Sequence, residues 1–537
     1  MTHSPDLPRP LTDRAATTQT LPRSARTVRP RIIHTLPLPI AVIASGLAGA
    51  ALDLAYPETG WWPFAFASVT VALWTLRGRS LPGAFLVSLV FGAAFYLTHL
   101  VWVSRFLGPT PWMALASLEA VLFGIGGVLI ALAYRLCTTR TRWSAIALPA
   151  WVAGLWVLRE TVLGAWPYGG FPWARTGLAL VNTPFVEAAS WVGTTGLSFL
   201  TVFVCASALQ ARLMRRWQAW VPAALAIGVT VAVPLFPTDP AGTLRIGWVQ
   251  ANGPSGYFDE KAPGDILTAQ EQATLPLAGQ QMDLLVWPEG SVDADPLTDP
   301  ATAARLDRVA QDTGADVLVN AATTRGDATF NTSLLWSVGT SPQLHDKANP
   351  VPFGEYVPDR DFYEALAPDL IGLIQREYTP GTNTPVMDVA DARIGLAICF
   401  DVIYDSVIRE GAQNGAQLYV FQTNNADFRD TDENLQQLAI ARMRAIETGR
   451  TVVNVSTTGT SQIIREDGTV MSEIPVDTTD ARINDVPLRV GVTPAVAGMT
   501  WIGPVTSALS LSAFGIVMLT HLRRRHVAPT WQERANP

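Results

Sequence analysis

Charge is scarce in this sequence. Only 15% of its 537 residues are Asp, Glu, Lys or Arg, against roughly 25% in a soluble globular protein. Lysine is scarcer still: Lys261 and Lys347 stand against 36 arginines. There are three cysteines, Cys137, Cys205 and Cys399, and only Cys399 falls within 237–496. A disulfide framework in that segment is therefore excluded. Of six histidines only His345 lies there, so a His-based hydrolase triad or a multi-His zinc site would rest on one residue. HExxH, GxSxG and P-loop patterns are missing. The net charge of −7, with the acid concentrated in 237–496, argues against a nucleic-acid partner. A hydrophobic content of 49% excludes disorder and collagen, and so little charge argues against a purely soluble enzyme. At about 150 residues per domain the length suggests roughly three to four domains.

Long apolar runs are what the sequence does have. Residues 32–236 carry 5 Asp/Glu and 11 Arg; residues 237–496 carry 37 Asp/Glu and 17 Lys/Arg. Runs near 36–56, 61–76, 81–103, 112–134, 144–166, 186–211, 219–236 and 498–522 approach or reach the roughly 17–25 residues a bilayer crossing needs. The second and seventh are short. The Pro-, Gly- and Trp-rich stretch 167–185 reads as an interfacial loop. Arginine follows every second run: six in the tail 1–34, then Arg77 and Arg79, Arg135, Arg140 and Arg142, Arg212, Arg215 and Arg216, and Arg523, Arg524 and Arg525. Positive charge is retained on the cytoplasmic side, so eight spans with both termini cytoplasmic fit each basic loop. The division expected is a disordered basic tail 1–34, a membrane domain 35–236 of seven helices, an extracytoplasmic domain 237–496, an eighth helix 497–522 and a cytoplasmic tail 523–537. The first apolar run sits too far from the start for a secretory signal and reads as a retained helix.

Within 237–496 the rhythm changes. Apolar strands are expected at 244–251, 283–289, 315–323, 331–338, 393–401, 416–424 and 450–458, and helices near 300–313, 403–414 and 431–449. The pattern is α/β with strands buried on both faces. Repeats are not evident.

Three residues there carry chemistry. Cys399 closes the apolar strand of GLAICFDVIYD. Glu289 follows a strand and a proline in LLVWPEGS. Lys347 lies in HDKANPVPFGEYVP, eight residues before Glu355. Taken singly each has a plainer reading: a small core thiol, a solvated strand-end acid, a surface lysine. Where Arg serves for nearly every other cation, a lysine is unusual, and a compact ammonium can lower a neighbouring thiol's pKa as a planar guanidinium does not. Together the three can perform acyl transfer. Lys347 would hold Cys399 as a thiolate and donate to the oxyanion, Glu289 would be general base and acid, and the Phe400 N–H would be a second oxyanion donor.

The order WPEG, HDKxxxVPFGEYVP, GLAICFD resembles the Glu–Lys–Cys triad of the nitrilase (carbon–nitrogen hydrolase) superfamily. With seven spans before it and one after, the chain resembles the apolipoprotein N-acyltransferase family over roughly 36–522. Further matches are YPETGWWPFA, GGFPWARTG, VGTTGLSFL and ARMRAIETGR followed by VNVSTTG. The resemblance implies a helical membrane bundle plus an extracytoplasmic α-β-β-α sandwich in a bacterial plasma membrane. It implies Glu289, Lys347 and Cys399 as the triad and Glu355 as the glutamate that orients Lys347. It implies a phospholipid acyl donor, a diacylglyceryl lipoprotein acceptor whose N-terminal cysteine is N-acylated through a Cys399 thioester, and neither cofactor nor metal. A separate sugar-transferase partner occurs with some relatives, and this sequence carries no such segment. Phe400-Asp401 stands where the family often has Tyr-Glu, and Asp427 where it has Trp in the run Asn424–Phe428. Phe258 stands for a functional Trp, and Phe428 joins it as a candidate lipid contact. These departures bear on acyl-donor preference and rate.

Asp53, His99, Glu119, Arg159, Glu160 and Glu187 lie in or near the apolar runs. Most are expected at helix ends, with Arg159–Glu160 deepest, as a bundle pair or a headgroup contact. Thirteen of 18 Trp lie between 61 and 220, and an outer rim of Trp166, Trp173 and Trp191 would admit lipids to Cys399. A membrane-tethered amidase on a soluble amide shares the triad but needs one span, not eight. A transporter, or an inactive lipoprotein-binding scaffold, needs no complete triad.

Overall fold

The computed structural model describes Thr2, residues 36–137 and residues 144–526, with side chains as far as residue 520. The expected tails, Arg140, Arg142 and the side chains of Arg523, Arg524 and Arg525 lie outside the described residues. An apolar helix occupies each of the eight runs. Leu81–His99, Pro109–Leu136, Ser144–Leu163, Val186–Met214 and Ile502–Thr520 are long and apolar enough to cross a membrane, whereas Leu38–Asp53, Pro63–Leu76 and Trp217–Ala232 are shorter. At about 1.5 Å per residue, a 16-residue helix such as Leu38–Asp53 spans roughly 24 Å of a hydrocarbon layer about 30 Å thick. By length, then, five helices meet the expectation of full crossings.

Small residues let these helices approach closely. A Cβ on Gly49 would lie 2.2 Å from the Phe91 carbonyl oxygen on the neighbouring helix, and one on Gly127 would lie 1.8 Å from Ser88 Oγ. Arg159 and Glu160 are buried, as expected of the deepest pair, and His99 and Glu119 are buried as well rather than reaching for an interface. Arg159 pairs with Glu160 at 3.3 Å and lies over the Phe123 and Trp156 rings, and His99 Nδ1 meets Asp53 at 2.8 Å. Glu187 fits the helix-end expectation, exposed and accepting from the Leu235 N–H, as does the half-exposed Asp53 at the end of Leu38–Asp53. The stretch 167–185 is also no simple interfacial loop. Leu178, Ala179, Leu180 and Val181 are buried, because Glu160 accepts from the Thr176 N–H and hydroxyl and draws the segment into the bundle.

The soluble half contains two six-stranded sheets. The strands are β1 (Asp239–Gln250), β2 (Leu284–Val286), β3 (Asp316–Arg325), β4 (Ala328–Trp336), β5 (Gln343–Asp346), β6 (Val386–Val389), β7 (Ala392–Ile398), β8 (Leu418–Thr423), β9 (Val452–Ser456), β10 (Ser461–Ile464), β11 (Val470–Ile474) and β12 (Asp480–Val490). Their orders are β12-β1-β2-β3-β4-β5 and β11-β10-β9-β8-β7-β6. In each sheet three parallel strands, β1-β2-β3 or β7-β8-β9, are flanked by antiparallel ones. Alternate residues face opposite ways along a strand. Ile246, Trp248, Leu284, Val286 and Leu318 therefore pack on Ile394, Leu396, Leu418, Val420 and Val453 between the sheets. Leu285, Val317 and Val319 pack outward under the helices Asp265–Thr274 and Pro300–Thr313. Both faces are covered, as parallel strands require. The expected α-β-β-α sandwich is what forms.

The outer layer of the second sheet joins the membrane half. Helices Asp405–Gln413 and Glu433–Thr448 lie on Tyr419 and Phe421, in one apolar core with Phe91, Trp156, Leu197 and other bundle residues. Buried charge crosses the junction. Arg175 pairs with Asp405 at 2.9 Å, Asp405 with Arg444 at 2.8 Å, and Arg444 with Glu447 at 2.7 Å. Glu447 then accepts from the Thr194 N–H and hydroxyl, where Gly193, at φ +66°, interrupts the helix.

Candidate active site

Cys399 directly follows β7 and takes a left-handed backbone (φ +48°), which a side-chain-bearing residue rarely adopts. That turn ends the strand and starts the short 3-10 helix Cys399–Ile403, so the thiol stands at the strand's C-terminal end rather than in the sheet's core. Glu289 comes three residues after β2. Lys347 comes one residue after β5, its own N–H held by the Asn331 carbonyl at 2.8 Å. Strands of both sheets thus bring together residues 110 positions apart in the chain.

Lys347 Nζ lies 3.1 Å from Glu289 Oε1 and 2.8 Å from Glu355 Oε2. All three residues are buried. Asn331, on β4, donates through one amide group to Glu289 Oε1 (2.8 Å) and Glu355 Oε1 (2.9 Å). The Asn320 side chain in turn donates to its oxygen at 2.9 Å. The Val351 N–H, four residues before Glu355, donates to its Oε2. Among the described residues no hydrogen bond engages Glu289 Oε2.

The environments of these groups differ in a useful direction. Burial pushes the Glu289 carboxyl above the usual range, and Lys347 only partly opposes this because Glu355 adds like charge. Burial acts on Glu355 in the same sense, but Lys347 and the hydrogen bonds from Val351 and Asn331 outweigh it and hold that carboxyl below the usual range. Burial also opposes the Lys347 charge, and two carboxylates overcome it, so the ammonium is firmly retained. One carboxylate is thus a permanent counter-ion and the other is able to accept a proton, a division of labour that follows from environment. Cys399 departs from expectation. Burial and the Glu289 charge push its thiol well above the usual range, more than Lys347 lowers it. The resting group is a thiol, so Lys347 does not by itself hold a thiolate. A proton acceptor is needed, and Glu289 has a free oxygen.

On its other side Cys399 meets groups absent from the sequence reading. Gln437 Nε2 lies 3.5 Å from Sγ. The Asn425 amide donates to Gln437 Oε1 at 3.0 Å and to Glu433 Oε2 at 2.6 Å. Asn331 and Glu433 carried no motif: Asn331 sits mid-strand, and Glu433 is one acid among several opening a helix.

The remaining candidates divide. Asp401 is fully buried and accepts from the Ala348 and Asn349 N–H groups and the Asn349 amide, so even the shorter acid ties the nucleophile's turn to the lysine's. Phe400 is buried and stacks on Phe171 and Trp173. Trp173 is only 2% exposed and donates to Gln436 at 2.7 Å. It is therefore not on the expected rim, unlike the exposed Trp166 and Trp191. Phe258 is exposed and packs on Phe106 and Tyr257. Phe428 packs edge-on against Trp102. The structure brings neither Phe258 nor Phe428 into contact with the Glu–Lys pair. Asp427 accepts from the Tyr257 N–H at 2.7 Å.

Comparison with known proteins follows the same division of the chain. Residues 245–492 match the carbon-nitrogen hydrolase family, and residues 48–207 match the apolipoprotein N-acyltransferase N-terminal domain. The apolipoprotein N-acyltransferase of Mycolicibacterium smegmatis is 31% identical over 90% of this chain and 86% of its own. That of Photobacterium profundum is 25% identical over 84% and 90%, and that of Methylococcus capsulatus 29% over 71% and 75%. A solved carbon-nitrogen hydrolase superfamily protein from Xanthomonas campestris is 20% identical, with a TM-score of 0.36 over 50% of this chain and 97% of that one. The two-sheet sandwich carrying a buried Glu and Lys with a half-buried Cys is a carbon–nitrogen hydrolase domain, here built onto an apolar helical bundle, and the chain is a membrane protein. It belongs to the apolipoprotein N-acyltransferase family.

Proposed function

We propose that this protein moves an acyl chain from a membrane phospholipid to Cys399, and from there to the α-amino group of a lipoprotein's N-terminal S-diacylglyceryl cysteine. In the first half-reaction Glu289 takes the thiol proton through its free Oε2, and sulfur attacks the ester carbonyl. The Lys347 ammonium and the Phe400 N–H stabilise the oxyanion. The C–O bond then breaks, and Glu289 returns the proton to the departing lysophospholipid oxygen. In the second, the amine nitrogen attacks the thioester, the C–S bond breaks, and a proton passes by way of Glu289 to sulfur. Glu355 keeps Lys347 charged and in place, and Asp401 holds the two loops together.

The observation that carries this reading is the continuity of one apolar core from the membrane helices to Phe400 and the layer behind Cys399. A nucleophile set against the membrane helices is placed for a lipid ester. A soluble amide has no need of that placement, which leaves the amidase reading without support. The same logic, with the arginine-bearing loops, supports eight membrane-inserted helices, both termini cytoplasmic, and residues 237–496 outside. The domain boundaries are those set out from the sequence. The test is mass spectrometry of a synthetic diacylated lipopeptide after incubation with phospholipid and the purified protein. Wild type should add one acyl chain at the N-terminus. Cys399→Ala and Lys347→Arg should add none, and conversion by both variants would refute the assignment.

A further inference from the structure

The two half-reactions do not carry the same number of protons. The first begins with one movable proton, on the thiol, and Glu289 alone can take it and give it back. The second begins with an α-ammonium, which must lose one proton before its nitrogen can attack and a second as the amide forms. Glu289 handles the second of these, from nitrogen to sulfur. The first needs another acceptor near the same thiol, one that can take the proton and pass it on to solvent.

A carboxyl group stands there. Glu433, in the first turn of the helix Glu433–Thr448, is 2% exposed and makes no ion pair among the described residues. Its Oε2 accepts from Asn425 at 2.6 Å, and the same Asn425 amide donates to Gln437, whose Nε2 faces Cys399 Sγ at 3.5 Å. Among the described residues no hydrogen bond engages Oε1. Glu433 is thus linked to the nucleophile through Asn425 and Gln437, and like Glu289 it has one oxygen anchored and one free.

Resting on the acyl-transfer reading above, we propose that Glu433 is the acceptor-side base: it receives the α-ammonium of the lipoprotein's N-terminal cysteine and takes its first proton. The amine then attacks the thioester carbonyl, the C–S bond breaks, Glu289 carries the remaining proton to sulfur, and Glu433 releases its own to solvent. The groups that face Glu433 fit this role. Burial pushes its carboxyl up to about 8, with the Glu289 charge acting in the same direction and Asn425 opposing. An α-amino group titrates at about 7.7–8.0, so the proton passes between near-equals. The Cys399 thiol feels the Glu433 charge. Asp432, one residue earlier, belongs to a different group with Glu58, Asp53 and His99.

Glu433→Gln keeps an oxygen for Asn425 and removes the base. Full-length protein is assayed for each half-reaction in single turnover, using phospholipid with a labelled acyl chain and then a synthetic diacylglyceryl lipopeptide. Thioester formation, which also reports folding, should be the less affected step. Transfer at pH 7 should fall about a hundredfold more, the lower end for loss of a general base, and the deficit should narrow at pH 9, where the amine arrives neutral. Equal loss in both steps, unimpaired transfer, or a deficit that does not change with pH would overturn the proposal. If wild type itself forms no phospholipid-derived thioester, the acyl-transfer reading fails instead.

Discussion

Replacing Asn331 by alanine removes one amide group from two buried carboxylates at once. Its Nδ2 sits 2.8 Å from Glu289 Oε1 and 2.9 Å from Glu355 Oε1. A hydrogen bond to a charged group contributes roughly 1.5–3 kcal/mol. Both bonds share one donor group and one set of neighbours, so their sum is not additive, and about 2 kcal/mol is a fair lower figure. Lys347 still holds Glu355 below its usual range. Glu289 is already raised and loses a bond that lowers it, so the burden falls there. One pKa unit corresponds to 1.36 kcal/mol, so about 2 kcal/mol moves the Glu289 titration up by roughly 1.5 units. Thioester formation needs Glu289 ionised, so its rate rises with pH through that pKa. In Asn331→Ala this acid limb moves upward by about the same amount, and on the limb itself, below both pKa values, the rate drops roughly 30-fold. The assay is single-turnover labelling of Cys399 by phospholipid across pH. A deficit that stayed constant across the whole pH range, or an unshifted acid limb, would refute the assignment of Glu289 as base.

Three further outcomes follow from the geometry. Alkylation of Cys399 by iodoacetamide in the resting protein should be slow at neutral pH and accelerate only above the ordinary thiol range, because the thiol is raised; fast labelling at pH 7 would show a resting thiolate. Arg444→Met leaves Glu447 and Asp405 short of a buried partner and should cost about 3–5 kcal/mol, read as a lower thermal midpoint by an amount that a surface Arg393→Met change does not match. Gly49→Ala puts a methyl against the Phe91 carbonyl and should destabilise the bundle by roughly 1–3 kcal/mol, since backbone cannot rotate away; unchanged thermal stability would contradict that close approach.

The parallel centre of each sheet was legible in the sequence; its borders, and the short buried β10 (SQII), were not. All three parallel strands of each sheet, β1-β2-β3 and β7-β8-β9, announce themselves as apolar runs because both their faces are covered. The sheet edges β5, β6, β11 and β12 passed unnoticed. QLHD, VMDV and VMSEI are short, and β12 is half exposed with Pro487 within it. Edge strands are kept short, polar or proline-bearing so that they do not pair with other chains, and those features erase the pattern a reader looks for. In the site, Lys347 stood out because lysine is rare in this chain. Asn331 and Asn425 did not, because an amide that orients carboxylates has no spacing rule. Burial was the other hidden variable. The sequence put Trp173 on a rim, whereas its hydrogen bond to Gln436 holds it inside; the deep placement expected for Arg159 and Glu160 is met through contacts with Tyr96 and Thr176.

The most direct test of the account is the chemical state of Cys399 after the protein meets phospholipid without acceptor. Intact mass and peptide mapping should show one acyl chain on Cys399, sensitive to neutral hydroxylamine, formed together with one equivalent of lysophospholipid. It should disappear when a diacylglyceryl lipopeptide is added. An unmodified Cys399, or an acyl group that persists in the presence of acceptor, would contradict it.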